Sequence, residues 1–287
     1  MTETAAIMVT GSTGQLGSEL KDIQAQFSNY RFHFFSRNEL SITDEEAVTN
    51  AFKSVRPSFL INCAAYTAVD LAEVERENAI SINADAVGIL ASICKQHNTC
   101  FLHLSTDYVF DGKNSRPWKE TDDVNPVSFY GETKLAGERL AMQNNGDSLI
   151  IRTSWVYSQY GKNFVKTMLR LMEEKQSINV VNDQIGSPTY AADLAQAILQ
   201  IIDSKKWVGG IYHFSNDGAI SWYDFAQEIK KSIGSKCTIN SISTSQFPTP
   251  AKRPAYSVLD NSKIKQVYGV KSKDWRQSLD ACIQKLT

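Results

Sequence analysis

The chain has 287 residues, 42% hydrophobic and 21% charged, with 30 basic against 31 acidic side chains and a formal net charge of −1. That balance leaves no basic field for a nucleic-acid backbone, and the one compact basic cluster, Lys252-Arg253, is too small for such a footprint. The length suffices for one large α/β unit or two modest domains, and no apolar run approaches the roughly 20 residues of a membrane span.

The first apolar run, Ala5-Ala6-Ile7-Met8-Val9, stops at a glycine loop and reads as a buried strand, not a targeting segment. Strands are predicted over 7–10, 31–36, 59–64, 101–105 and 149–152. Between the first two, Leu16, Leu20 and Ile23 recur at helical spacing. Thr43-Asp44-Glu45-Glu46 has the form of a capping box opening the next helix. Further helices are predicted over 79–96 and 133–142. Later come helices over 163–174 and 191–202, short strands over 178–181 and 211–215, and a helix over 222–233 capped by Ser221. Phe247-Pro248-Thr249-Pro250 and Arg253-Pro254 mark an extended, proline-stiffened segment. Short strands alternating with amphipathic helices predict a parallel, doubly wound sheet with helices on both faces.

The first chemical signal is Gly11-Ser12-Thr13-Gly14-Gln15-Leu16-Gly17, between a predicted strand and a predicted helix. Glycines there permit a tight turn and let the backbone approach a pyrophosphate seated on the helix N-terminus. Gly11, Thr13, Gly14, Gln15, Leu16 and Gly17 are therefore candidate dinucleotide contacts. The fold class that follows is α/β of the Rossmann type. Residues 1–155 are expected to bind NAD(P), and 156–287 to form mainly a smaller α/β substrate domain with segments returning to the first. At the end of the second strand, Arg37 suits the 2′-phosphate of NADPH, while the nearby Glu39 leaves NADH open.

The second signal is Tyr130-Gly131-Glu132-Thr133-Lys134. Residues four apart share a helix face, so the phenol and the ammonium can converge. A free phenol has a pKa of about 10, and a nearby cation brings it toward a useful range for proton transfer. Thr106, just past the apolar run 101–104, falls where strand ends line a ligand crevice and can hydrogen-bond a carbonyl. Thr106, Tyr130 and Lys134 are the candidate catalytic residues.

The five cysteines are scattered, with no C-x-x-C pair, and suggest reduced thiols in a cytoplasmic protein. His103, inside an apolar run, reads as a satisfied core residue and not as a ligand.

The G-x-x-G-x-x-G spacing resembles extended short-chain dehydrogenases/reductases. Asn62-Cys63-Ala64-Ala65-Tyr66-Thr67-Ala68-Val69-Asp70, His103 through Gly112 (HLSTDYVFDG), Arg152-Thr153-Ser154-Trp155-Val156-Tyr157 and Asp183-Gln184-Ile185-Gly186-Ser187-Pro188-Thr189 narrow the likeness. With Arg253-Pro254, Ser257 and Leu259 they resemble the dTDP-4-dehydrorhamnose reductase family over essentially the whole chain. The resemblance implies reduction of the C4 keto group of a dTDP-4-dehydro sugar. Tyr130 would donate the proton, Lys134 would tune it and hold the nicotinamide ribose, and Thr106 would orient the ketone. By the same carry-over Ala64, Ala65, Tyr66 and Asn83 would flank the cofactor, and Thr106, Asp107, Val109, Trp155 and Arg253 would face the substrate, Arg253 at its diphosphate.

Two departures stand out. Ser41 replaces an aspartate that many relatives place near the adenine. Some members are described with a magnesium ion bridging a dimer; Glu19 matches one ligand, but Ala191-Ala192-Asp193 lacks a clean second, so no metal is expected and either a monomer or a homodimer fits. A dehydratase would carry Thr-Asp-Glu, whereas Tyr108 follows Thr106-Asp107, and Gln15-Leu16 differs from the phenylalanine-containing loop of epimerases and dehydratases. A non-catalytic relative, such as the regulatory subunit of methionine adenosyltransferase, would not require Thr106, Tyr130 and Lys134 together.

Overall fold

A computed structural model of the chain describes residues 4–286. Its first half alternates strands and helices: β1 (Ala5–Thr10), α1 (Gln15–Ile23), β2 (Tyr30–Phe35), α2 (Glu45–Val55), β3 (Phe59–Asn62), α3 (Arg76–Ile80), α4 (Ala86–Gln96), β4 (Cys100–Thr106), α5 (Phe129–Asn144) and β5 (Leu149–Thr153). The second half adds β6 (Val156–Tyr157), α6 (Phe164–Glu174), β7 (Ser177–Val181), β8 (Ile185–Gly186), β9 (Thr189–Tyr190), α7 (Ala191–Asp203) and β10 (Gly210–His213). It ends with β11 (Ile220–Ser221), α8 (Trp222–Ser232), β12 (Thr238–Ile242), α9 (Ser262–Tyr268) and α10 (Trp275–Ile283).

Six strands form one parallel sheet in the order β10-β5-β4-β3-β1-β2. The strand order reverses between β1 and β3, and in such sheets the ligand crevice lies outside the carboxyl ends of the strands at this switch point. Side-chain alternation builds the core on both faces. Ile7 and Val9 point into a cluster with Leu20, Ile198 and Ile202 from α1 and α7, whereas Met8 points to the other face, against Phe52, Leu90 and Ala141 from α2, α4 and α5. A third cluster packs Val165, Met168, Phe225, Ile229, Trp275 and Leu279 of α6, α8 and α10 over β7 and β12.

Four differences separate the structure from the sequence reading. Helix α2 is capped by Asp44, whose carboxylate accepts from the Ala47 N–H, instead of by Thr43, which shares its hydroxyl with Ser41. The helix predicted over 79–96 starts earlier, at Arg76, and carries a π-helical turn over Ser81–Asp85; such turns displace a side chain out of register. Helix α5 starts at Phe129, capped by Ser128, so Tyr130 sits in its first turn. Beyond residue 233 the sequence predicts no helix or strand, yet β12, α9 and α10 form there.

No helix among the described residues is long and apolar enough to cross a membrane.

Candidate active site

The glycine loop is shaped by contact with β3. Gly11 has φ +69°, and a Cβ there would lie 2.6 Å from the Ala64 nitrogen, so only glycine lets the two strand ends approach. Helix α1 begins at Gly14 with no side-chain cap, which leaves its first N–H groups free for an anion. Above it opens a groove of about 280 Å³ between the ends of β1, β2 and β3, lined by Gly11, Thr13, Gly14, Ala64 and Ala65 and reaching Arg37 and Ser41. Arg37 is exposed and makes no hydrogen bond or ion pair with another described residue. Glu39 is turned back on Ser36, accepting from its N–H at 2.8 Å and its hydroxyl at 2.7 Å. The groove thus presents a free guanidinium and an occupied carboxylate.

Two expected cofactor contacts have other work. The Gln15 side chain bridges the Val156 carbonyl and Asn163 amide, pinning the loop to the segment after β6. Leu16 is buried in the core, so only its backbone can face an anion. Asn83 is corrected more fully. It is 0% exposed on the π turn, and its amide clamps both the N–H and the carbonyl of Tyr66 while also reaching Thr133. It holds the 64–66 loop from behind and does not flank the groove.

The candidate catalytic residues meet where β4 ends. Thr106 donates to Asp107 Oδ1 at 3.1 Å and accepts from the Tyr108 N–H, and Tyr108 in turn packs on Tyr130, which brings the threonine hydroxyl and the phenol to one end of the sheet. Helix α5 can come this close because residue 131 is glycine: a Cβ there would overlap the Tyr108 carbonyl oxygen. Glu73 reinforces the arrangement by accepting from the Phe129 N–H, an otherwise orphaned donor of the first turn. Tyr108 meets the Tyr130 ring edge-on at 5.5 Å.

Burial pushes the Tyr130 phenol up to about 12, with the Thr106 hydroxyl pulling it partly back and the Asp107 carboxylate adding to the rise. The expected lowering by Lys134 is not met: burial, Thr106 and Asp107 set the phenol's pKa. Lys134 instead donates to the Leu104 carbonyl at 2.7 Å and lies 3.3 Å from His103 Nε2. Burial lowers its ammonium to about 8, and Glu138 one turn on offsets part of that. Burial likewise raises Asp107 to about 6. A phenol that stays neutral at physiological pH is suited to donating a proton.

On the substrate side the structure divides the expected residues. Thr106 and Asp107 stand at the strand end. Val109 does not: it is fully buried with Phe110, Trp118, Leu135 and Leu259, so it supports the turn from below. Trp155 has φ +47° and stacks on Trp222 at 3.5 Å between ring centroids. Trp222 lines a second cavity of about 380 Å³ with Phe164, Met168, Leu171, Val180 and Arg253. Arg253 is held by Asp70 through two hydrogen bonds of 2.8 and 3.1 Å, tying the proline-stiffened segment to the loop after β3. Sequence reasoning missed Asp70, Glu73 and Trp222 as organising residues; their partners are 183, 56 and 67 positions away, beyond any local pattern.

Glu19 is fully buried, accepting from the Ser158 hydroxyl with its second oxygen 3.8 Å from Lys285, and burial raises its pKa. No group of three or more potential His, Cys, Asp or Glu ligands occurs among the described residues.

Comparison with known proteins decides the family. The family model described as "RmlD substrate binding domain" matches residues 5–287. A dTDP-4-dehydrorhamnose reductase of Aggregatibacter actinomycetemcomitans is 43% identical over 286 residues, covering 96% of this chain and 97% of that one. The chain belongs to the dTDP-4-dehydrorhamnose reductase family. The solved enzyme of that family from Clostridium acetobutylicum superposes with a TM-score of 0.94 at 40% identity, over 98% of this chain and 99% of its own. The Bacillus anthracis reductase, solved in complex with NADP, gives 0.94 at 36% identity and the same coverage. These likenesses run through both halves of the chain, so the segments with few sequence signals, including α9 and α10, belong to the family fold.

Proposed function

We propose that this chain is an NADPH-dependent reductase that converts dTDP-4-dehydro-β-L-rhamnose to dTDP-L-rhamnose. The observation that carries the reading is the convergence of Thr106, at the end of β4, and Tyr130, in the first turn of α5, through Tyr108, with Lys134 one turn on, at the strand ends beside a glycine-cradled groove. The groove fits a dinucleotide: glycine at 11 lets the ends of β1 and β3 close up at its floor, the α1 N-terminus is uncapped, and Arg37 is free for a 2′-phosphate. When bound, the reduced nicotinamide supplies hydride to the C4 carbon. Thr106 orients the ketone oxygen, and Tyr130 gives that oxygen its proton, so hydride and proton together turn the carbonyl into a secondary alcohol. Lys134, one turn beyond Tyr130 on α5, would stabilise the phenolate left on Tyr130. The apolar cavity behind Trp222 suits the thymine and sugar, and Arg253 suits the diphosphate, sharing its fork with Asp70. All five cysteines are free thiols, which agrees with work in the cytoplasm.

Loss of reduced-nicotinamide absorbance, with dTDP-L-rhamnose identified as product, tests the assignment. Turnover with a different keto sugar only would overturn the substrate, and cofactor binding without turnover would favour a regulatory role. Arg37→Ala is expected to raise KM for NADPH about 10- to 100-fold, the worth of a charge-assisted hydrogen bond, and to leave KM for NADH nearly unchanged. Equal effects on both cofactors would refute the 2′-phosphate contact. Arg253→Ala is expected to raise KM for the nucleotide sugar without weakening NADPH; initial rates with each substrate varied in turn separate the two.

A further inference from the structure

A row of polar side chains crosses three neighbouring strands beneath the reaction centre. The sheet register pairs Thr10 with Asn62 and Asn62 with His103, and all three are buried. The donors and acceptors along this row are fixed by the backbone. The Ala64 N–H donates to Asn62 Oδ1 at 3.2 Å, and the Thr10 hydroxyl donates to the same oxygen at 2.7 Å. An N–H cannot accept, so the amide cannot be flipped, and its Nδ2 must face His103 Nδ1 at 3.1 Å. An amide N–H₂ only donates. His103 Nδ1 therefore accepts, and the proton of the neutral ring resides on Nε2.

That proton points at Lys134 Nζ, 3.3 Å away. An ammonium has three hydrogens and no lone pair, so it would set a donor against a donor. An amine has a lone pair for the His103 Nε2–H and two hydrogens, one of which reaches the Leu104 carbonyl. No carboxylate forms an ion pair with Lys134 among the described residues. Along α5 the ionisable neighbours are Tyr130 one turn before and Glu138 one turn after, and Glu138 is itself engaged by Arg152 of β5 and Ser105 of β4. From β3 comes only the uncharged Asn62, and from β4 only His103, whose pKa burial and Lys134 hold well below the usual histidine range.

We propose that His103 is a positioning residue for Lys134: its Nε2–H holds the lysine as a neutral amine in the cofactor-free chain, so that dinucleotide binding is coupled to proton uptake at Lys134. The step balances as amine plus solvent proton giving ammonium, with no redox change. Its first half stands on the hydrogen-bond logic alone, and its second half rests on the cofactor reading above. Because binding takes up a proton, affinity for the dinucleotide falls as pH rises above the lysine's own titration.

The first test uses the cofactor-free protein, labelled with ¹⁵N-histidine, in two-bond ¹H–¹⁵N correlation spectra. Above about pH 8, where the lysine is an amine, His103 is expected to show an unprotonated Nδ1 and a protonated Nε2, its signal assigned by loss in both His103→Phe and His103→Gln. A proton on Nδ1, or on both nitrogens, overturns the proposal whatever the chain's activity. The second test is calorimetric titration with NADPH in two buffers of different ionisation enthalpy. At about pH 9, above a lysine that burial lowers to about 8, uptake should approach about one proton per bound dinucleotide. Lys134→Met and Lys134→Arg should bind with no uptake, the first lacking a titrating group and the second always charged. Binding by the unaltered protein with no uptake overturns the coupling, whereas failure to bind NADPH overturns the cofactor reading and leaves the histidine test standing.

Discussion

Replacing Tyr130 with phenylalanine is expected to lower kcat by about 10²- to 10⁴-fold, the usual worth of a general acid, while NADPH affinity stays close to that of the unaltered chain. The substitution removes one hydroxyl and keeps the ring that Tyr108 and the first turn of α5 pack against. The lost oxygen is the proposed proton donor, whereas the proposed ketone holder, Thr106, keeps its bonds to Asp107 and the Tyr108 N–H. KM for the nucleotide sugar should therefore move much less than kcat. Steady-state rates combined with a fluorescence titration of NADPH check both halves. A variant with ordinary kcat would place the proton donor elsewhere, and Asp107, raised by burial to about 6, would be the next residue to replace.

Much of this centre is legible in the sequence because its parts are local. A strand, three glycines and a helix within 20 residues announce the groove, and a tyrosine and lysine four apart announce the helix face they share. What binds these parts together is not local. His103 reads as a core histidine and is one, since it is 0% exposed, yet one ring nitrogen meets Lys134 and the other Asn62, 31 and 41 positions away. Asn83 and Val109 lie in or near recognisable motifs and invite a role facing ligand. The π turn points the first at the backbone of Tyr66, and the short helical turn after Thr106 buries the second beneath the site. The elements past residue 233 escape prediction for a related reason. In β12 only Ile239 is buried, within a polar stretch, and the strand exists because it pairs in parallel with β7. Helix α10 is nine residues long and is held by Trp275, Leu279 and Cys282 against α8.

Removing one partner of the Glu138–Arg152 pair is expected to cost about 3–5 kcal/mol of stability. Both side chains are 2% exposed and joined by two hydrogen bonds of 2.7 and 2.9 Å, in a setting where an unpaired charge finds no water. Arg152→Leu leaves Glu138 with only the Ser105 hydroxyl. Denaturant unfolding of both single variants and of the double Glu138→Leu/Arg152→Leu variant forms a cycle. The double variant should recover most of the loss, because neither charge is then stranded in the core. Activity should not recover with it. Ser105 adjoins Thr106, and Glu138 lies one turn beyond Lys134, so the pair fixes β4, α5 and β5 at the spacing the reaction centre needs. Recovery of stability together with full kcat would make the pair a structural device alone. Stability regained with kcat still depressed would show that this buried ion pair serves the geometry of the site more than the strength of the fold.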